Sequence, residues 1–223
     1  MSKHRGNGYR SRALVFADRA HAGAQLAARV APLLGHLPSV VLGLPRGGVA
    51  VAFEVARALH LPLDVLNVRK LGMPGEPEVA IGAIAVHDTL VGAAESADVS
   101  APDLQALAHR ERAELERRER RYRAGRAPLA LRGRCAILVD DGLATGYTML
   151  AAIRAARALG AAQVLVAAPV SSPEAAALVA READWTAFLE VPPLLRSVGE
   201  WYRDFHQVED AEVGALLEQR ARA

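Results

Sequence analysis

Short, largely apolar runs alternate along the chain with longer segments in which apolar residues recur every three or four positions, the order expected of strands and helices laid down in turn. Residues 39–43, 64–68, 79–86, 136–139 and 163–168 are the strand runs. Leu26, Val30, Leu33 and Leu34 mark the buried face of a first helix that starts at the N-cap Asp18 and runs to about Leu34. Val49, Ala52, Phe53, Ala56 and Leu59 mark a second over 49–60, stopped by Pro62. An alanine-rich helix over 149–159 ends at Gly160, and another begins near Glu174. Strands that alternate with helices predict an α/β fold with a doubly wound, mainly parallel sheet. The run at 136–139 is apolar throughout, as in a central strand covered on both faces.

Two segments depart from this rhythm. Residues 102–126 are highly charged, with Glu114 and Arg118, Glu116 and Arg120, and Glu119 and Arg123 at i,i+4 spacing, which predicts a solvated helix held by surface pairs. Their arginine excess leaves a partner or polyanion open as the alternative. Residues 185–208 gather Trp185, Phe188, Trp201, Tyr202 and Phe205 in a chain only 4% aromatic, which predicts a cap with a stacking surface or an ordinary packed subdomain. The 223 residues, 52% hydrophobic, suffice for one core. The expected organisation is one domain over 1–223, with 1–12 a flexible basic N-terminus, 102–126 a charged helical insertion and 185–208 a hood.

The net charge of +2 does not demand nucleic acid, and no aromatic or glycine pattern accompanies the arginines. The single Cys135 lies within a strand, which excludes a disulfide framework and suggests a reducing interior. No apolar stretch is long enough for a membrane span, and 1–12 lacks the apolar core of a signal peptide. A cytoplasmic protein with neither membrane nor nucleic acid as partner is the expectation.

The chemistry concentrates in residues 135–148, CAILVDDGLATGYT, where a buried strand ends in Asp140 and Asp141 and passes into a turn rich in glycine and threonine. Gly142 and Gly146 admit backbone conformations closed to other residues, so the N–H groups of 144–148 can converge on one anion beside the Thr145 and Thr148 hydroxyls. The following helix adds its N-terminal dipole. The two acids would repel a phosphate in that cradle; they suit vicinal hydroxyls and a divalent cation. A ribose 5-phosphate has that shape. A nucleoside-triphosphate P-loop does not fit, because the glycines are one residue too close and Tyr147 stands where lysine would be. The bland reading is a tight strand-to-helix turn with solvated aspartates.

In an open parallel sheet ligands bind outside the carboxyl ends of the strands. Leu44-Pro45-Arg46-Gly47-Gly48, Arg69-Lys70, 140–148 and Val170-Ser171-Ser172 each follow a predicted strand and would share one edge. Arg46, Arg69 and Lys70 add fixed positive charge for a second, more highly charged phosphate group.

A monoester, a diol and a pyrophosphate together describe phosphoribosyl pyrophosphate (PRPP), and the chain resembles the type I phosphoribosyltransferases. VDDGLATGYT is similar to that family's signature loop, and VLGLPRGG and VRKLGMPG are similar in order and spacing to segments of adenine phosphoribosyltransferases. SVGEWYRDFHQV distantly resembles the hood of hypoxanthine-guanine enzymes; the likeness covers roughly 40–208 and is weak across the charged helix. The resemblance implies that Asp140 and Asp141 hold the ribose hydroxyls and, indirectly, Mg2+, while Gly142, Ala144, Thr145, Gly146, Tyr147 and Thr148 form the 5-phosphate loop. It implies that Arg46 and Gly47 line the pyrophosphate loop, that Arg69 and Lys70 reach the same group, and that 71–78, rich in glycine and proline, is a mobile loop closing over the reacting centre. Ala144 stands where oxopurine enzymes carry an aspartate that acts on the base, so that acid or base is absent; adenine enzymes draw theirs from the flexible loop, where Glu76 or Glu78 is the candidate. The implied reaction is Mg2+-dependent transfer of 5-phosphoribosyl from PRPP to a nitrogen nucleophile, a nucleobase stacked on Trp201 or Tyr202, in a homodimer. A PRPP-binding regulator of the same fold is the alternative.

Overall fold

The structure, a computed structural model, describes residues 16–73, 76–85, 89–92 and 101–222. Its centre is a five-stranded sheet in the order β2-β1-β6-β7-β8, formed by β1 (Ser39–Gly43), β2 (Leu63–Val65), β6 (Cys135–Val139), β7 (Gln163–Val170) and β8 (Trp185–Glu190). Every pairing within it is parallel. The expected α/β, doubly wound and mainly parallel architecture is the one observed.

The apolar runs are explained by cover on both faces. Val40, Leu42, Ala136, Leu138, Val164 and Val166 point to one side, where they join Met149, Ala152 and Ile153 of α4 (Tyr147–Ala158) and Ala175 of α5 (Pro173–Val179). Val41, Cys135, Ile137, Val139, Leu165 and Ala167 point to the other, against Leu26 of α1 (Arg19–Val30), Val49 and Phe53 of α2 (Gly47–Ala58) and Val213 of α6 (Asp210–Ala221). A strand buried on both faces cannot alternate polar and apolar residues, and these do not. Asp18 caps α1 through the His21 N–H, at 2.7 Å. The α-helix ends at Val30, and residues 31–33 continue it as a 3-10 turn whose C-cap is Leu34.

The run at 64–68 does not form one strand. It divides at Leu66 and Asn67: β2 stays in the parallel sheet, and β3 (Val68–Met73) opens an antiparallel sheet with β4 (Glu76–Ala85) and β5 (Thr89–Gly92). Asn67, almost wholly buried, turns its side-chain amide to Glu119 at 2.6 Å, and this tie to the charged helix sits where the chain leaves one sheet for the other. Residues 71–73 and 76–78 thus belong to the hairpin strands β3 and β4, with Leu71, Gly72 and Met73 opposite Gly82, Ala80 and Glu76; 74–75, like 1–12, lie outside the described residues.

The charged helix is α3 (Ala101–Tyr122), and all three i,i+4 pairs read from the sequence are made, at 2.8, 3.5 and 3.0 Å in chain order. It is not solvated all round. Ala108 and Leu115 are buried with Leu71 of β3 and Ile84 of β4, so α3 covers the small sheet along an apolar stripe. The dense charge hid that stripe in the sequence. Leu115→Ala should accordingly lower unfolding stability by about 2–4 kcal/mol, while Glu116→Ala, on the exposed face, should change it by less than about 0.5 kcal/mol. Urea denaturation of both variants checks this, and equal effects would contradict the packing described.

Candidate functional site

The chain leaves β1 into α2 on one face of the sheet and leaves β6 into α4 on the other. β1 and β6 are neighbours, so the carboxyl ends of this pair form the switch point of the doubly wound sheet, where a crevice opens. Both glycine-rich turns stand there. The Leu44 N–H donates to the Val139 carbonyl at 2.9 Å, which locks the Pro-Arg-Gly-Gly turn beside the start of the acid pair.

The contact between the turns is close. A Cβ on Gly48 would stand 2.7 Å from the Val139 carbonyl oxygen and 2.8 Å from Asp140 Cα, and a Cβ on Gly47 would collide with Asp141 Oδ2. Glycine is needed at position 47 because the Asp141 carboxylate occupies the space, and at position 48 because the main chain of Val139 and Asp140 does, with the Asp140 carboxylate beside it. On the opposite side the signature turn is tied to the end of β7: the Leu143 N–H donates to Val170, the Ser172 N–H donates to Leu143, and the Ser172 hydroxyl donates to the Ala144 carbonyl at 2.7 Å. Gly146, at φ +81°, makes the left-handed step into α4.

The helix ends are unequal in a useful way. Asp18 and Ser172 cap α1 and α5 with their side chains. No side chain caps α2, whose N-cap is Arg46, or α4, whose N-cap is Gly146. First-turn N–H groups have no partner within a helix, so two sets of donors and two positive dipole ends flank the acid pair. Ala144 and Thr145 are exposed, and Tyr147 and Thr148 are half-buried.

Asp140 and Asp141 are themselves half-buried. The Asp140 carboxyl accepts from the Asp141 N–H at 2.9 Å. Burial pushes its pKa well up, and the neighbouring Asp141 charge adds to the shift. Burial also raises Asp141, opposed by Arg19, whose Nε donates to Oδ2 at 2.9 Å. Arg19 is the site residue that sequence reasoning missed. One signal existed: an arginine at the first position of a helix opposes the dipole there, a local inconsistency that a tertiary acid resolves.

The other expected residues are placed variously. Arg46 lies beside the crevice with its guanidinium 3.7 Å from Glu209 and 4.0 Å from Asp210. Together with Arg19, Gly47, Asp141, Phe205 and residues 206–208 it lines a cavity of about 380 Å³. Arg69, on β3, is engaged by Glu111 of α3 at 2.6 Å and does not touch the acid pair. Lys70 belongs to β3 and Glu76 and Glu78 to β4; their side chains lie outside the described residues. Trp201 and Tyr202 are buried. The Tyr202 ring stacks on Phe205 at 4.9 Å and leans on Phe16 at 5.4 Å, and its hydroxyl donates to the Asp141 carbonyl at 2.6 Å. Burial and then the Asp141 charge push the Tyr202 hydroxyl pKa up, so it remains the donor. Of the aromatics expected in a hood over 185–208, Tyr202 and Phe205 thus stack on each other, whereas Trp185 and Phe188 belong to β8 of the main sheet.

A carboxyl whose pKa is raised on folding holds a proton that the unfolded chain releases. Its effect on stability is nil below the ordinary aspartate range and grows unfavourable as pH rises towards the folded value. Asp140→Asn keeps the oxygen that accepts from the Asp141 N–H and removes the charge. The variant should therefore be more stable than the wild type at pH 7 and indistinguishable from it near pH 3. Chemical denaturation at the two pH values checks the sign, and a variant less stable at pH 7 would contradict it.

The model of the phosphoribosyl transferase domain matches residues 17–196. Two Mycobacterium tuberculosis proteins, one from each of two strains and both named as provisional phosphoribosyl transferases, are 46% identical over 214 residues, covering 93% of this chain and 47% of theirs. The chain thus spans about half the length of these curated relatives. A crystal structure of a Thermus thermophilus protein, 47% identical, superposes with a TM-score of 0.79 and covers 92% of this chain and 98% of its own. With the signature turn seated at the switch point and most of the chain matched, the protein belongs to the phosphoribosyl transferase domain family.

Proposed function

We propose that the protein is a phosphoribosyltransferase that moves the 5-phosphoribosyl group of PRPP to a nitrogen nucleophile and releases pyrophosphate. The observation that carries this reading is the acid pair set between two helix N-termini that no side chain caps, one following each glycine-rich turn. The N–H groups of 144–148 with the Thr145 and Thr148 hydroxyls suit the 5-phosphate, and Asp140 and Asp141 suit the ribose hydroxyls. Arg46 and the Gly47 N–H suit the pyrophosphate, which the dipole of α2 also favours. Such a ligand places its diol on the carboxylates and its two anions on the helix ends, so each charge meets its opposite.

In the reaction the bond between ribose C1 and the pyrophosphate oxygen breaks, and pyrophosphate leaves with the electron pair. The acceptor nitrogen forms the new bond to C1 and gives up its proton to a base. Arg46 and the α2 N-terminus stabilise charge growing on the leaving group, and Asp140 and Asp141 fix the ribose that becomes cationic. Glu76 or Glu78 is our candidate base, and Arg69 and Lys70 are candidates for the pyrophosphate once β3 and β4 approach it; Arg69 would have to exchange Glu111 for the ligand.

Among the described residues no three His, Cys, Asp or Glu side chains gather as a metal site. Two carboxylates, one already bonded to Arg19, fit a magnesium ion held mainly by donor oxygens and water, with Asp140 and Asp141 beside it. Bound there it would neutralise pyrophosphate charge. For the acceptor, the burial of Trp201 and the stacking of Tyr202 on Phe205 leave the cavity beside Arg46 and residues 205–208 as the place we assign it.

Calorimetric titration with magnesium and PRPP should show binding that Asp140→Asn and Asp141→Asn each weaken about tenfold or more, the loss expected for a charge-assisted hydrogen bond. Undiminished affinity in both variants would end the assignment. Pyrophosphate release assayed over a panel of bases and amines should single out an acceptor, whereas tight PRPP binding with no release would mark a regulator.

A further inference from the structure

Segment 198–208 is docked on the acid turn at several points. The Val198 side chain fills the space that a Cβ on Gly142 would need. The Tyr202 hydroxyl holds the Asp141 carbonyl at 2.6 Å. Arg19, only 8% exposed, reaches over from the first turn of α1 and divides its guanidinium between two parts of the site. Its Nε donates to Asp141 Oδ2 at 2.9 Å, and its Nη1 donates to the His206 carbonyl at 2.8 Å. Its Cζ lies 3.9 Å from the centre of the Phe205 ring. Phe205 and His206 belong to the wall of the cavity assigned to the acceptor.

A guanidinium is planar and rigid, so two acceptors bonded to different nitrogens of it are held in a fixed relation; an ammonium is a single point and imposes none. Reorientation of the Asp141 carboxylate must then move Arg19, and through it residues 205 and 206. The Arg19 bond uses Oδ2 and leaves Oδ1 to take a hydroxyl. We infer that Arg19 is a positioning residue that couples occupancy of Asp141 to ordering of segment 198–208, so that the donor, once bound, sets the wall against which the acceptor lies. The inference rests on reading Asp141 as a ligand of the PRPP ribose.

The test combines amide hydrogen exchange over 198–208 with magnesium and PRPP titration, in the wild type, Arg19→Gln, Arg19→Lys and Tyr202→Phe. PRPP should slow wild-type exchange at 205–206 about tenfold, which corresponds to roughly 1.4 kcal/mol of added local protection. Arg19→Gln should abolish that slowing and weaken PRPP binding about tenfold. Arg19→Lys keeps the charge but cannot hold both acceptors; it should keep PRPP affinity within about threefold of wild type and still lose the donor-dependent slowing. A purely structural Arg19 would instead speed exchange equally with and without PRPP in both variants, which would overturn the inference. Should Arg19→Gln not fold, Arg19→Lys and Tyr202→Phe decide the matter, the latter losing part of the slowing with Arg19 in place. Wild-type PRPP binding that leaves exchange at 205–206 unchanged defeats the coupling alone, whereas no PRPP binding at all defeats the reading of Asp141 and the coupling with it.

Discussion

Two adjacent carboxylates at the end of a central strand repel each other and lose water, and the structure around Asp140 and Asp141 is arranged to hold them there. Among the described residues Arg19 supplies the close cation, at 2.9 Å from Asp141. The uncapped ends of α2 and α4 supply partial positive charge without bulk. Gly47 and Gly48 remove the side chains that would otherwise displace the acids, and the Tyr202 hydroxyl satisfies the Asp141 carbonyl from above. Burial still wins at Asp140, whose carboxyl is pushed well up, so the pair remains a local liability in the free protein. Strain of this kind at a site is expected where a ligand relieves it.

The position of the pair follows from the sheet. Because β1 and β6 are neighbours while their following helices lie on opposite faces, neither of those two helices covers the carboxyl ends of these strands, and the turns after them face each other. The same double cover that makes the strands apolar throughout leaves polar residues nowhere to go but these ends.

What the sequence disclosed and withheld divides along local and long-range interactions. The apolar runs of β1, β6 and β7, the Asp18 cap and the i,i+4 pairs of α3 depend on neighbours within a few residues, and each was visible as a pattern. The acid pair and the glycine turns were visible as residue types. Arg19 was not, because its partner is 122 positions away and nothing local distinguishes it beyond an unfavourable place on its helix. Tyr202 was visible as an aromatic, but that its ring faces other rings depends partly on Phe16, which arrives from the far end of the chain to join the nearby Phe205. The split between β2 and β3 was hidden for a similar reason: Asn67 turns to Glu119 of a helix read as solvated.

That helix reaches the site through Asp210, the first residue of α6. The Tyr122 hydroxyl donates to Asp210 at 2.5 Å and Arg117 at 3.1 Å, with Arg121 at 3.6 Å and Arg46 at 4.0 Å. The Tyr122 hydroxyl bond, with Arg117 after it, holds the Asp210 carboxyl below the usual range, and burial with Asp210 nearby pushes the Tyr122 hydroxyl up to about 12. Asp210 is thus satisfied by α3 alone. Arg46 contributes the longest contact to it, and its other acid, Glu209, is 67% exposed and 3.7 Å away. Exposed pairs at such distances are worth at most about 1 kcal/mol, less than a hydrogen bond to a charged group, at about 1.5–3 kcal/mol. Of the arginines around Asp210, Arg46 therefore loses least by turning to an anion in the crevice, and α6 keeps its hold on α3 when it does.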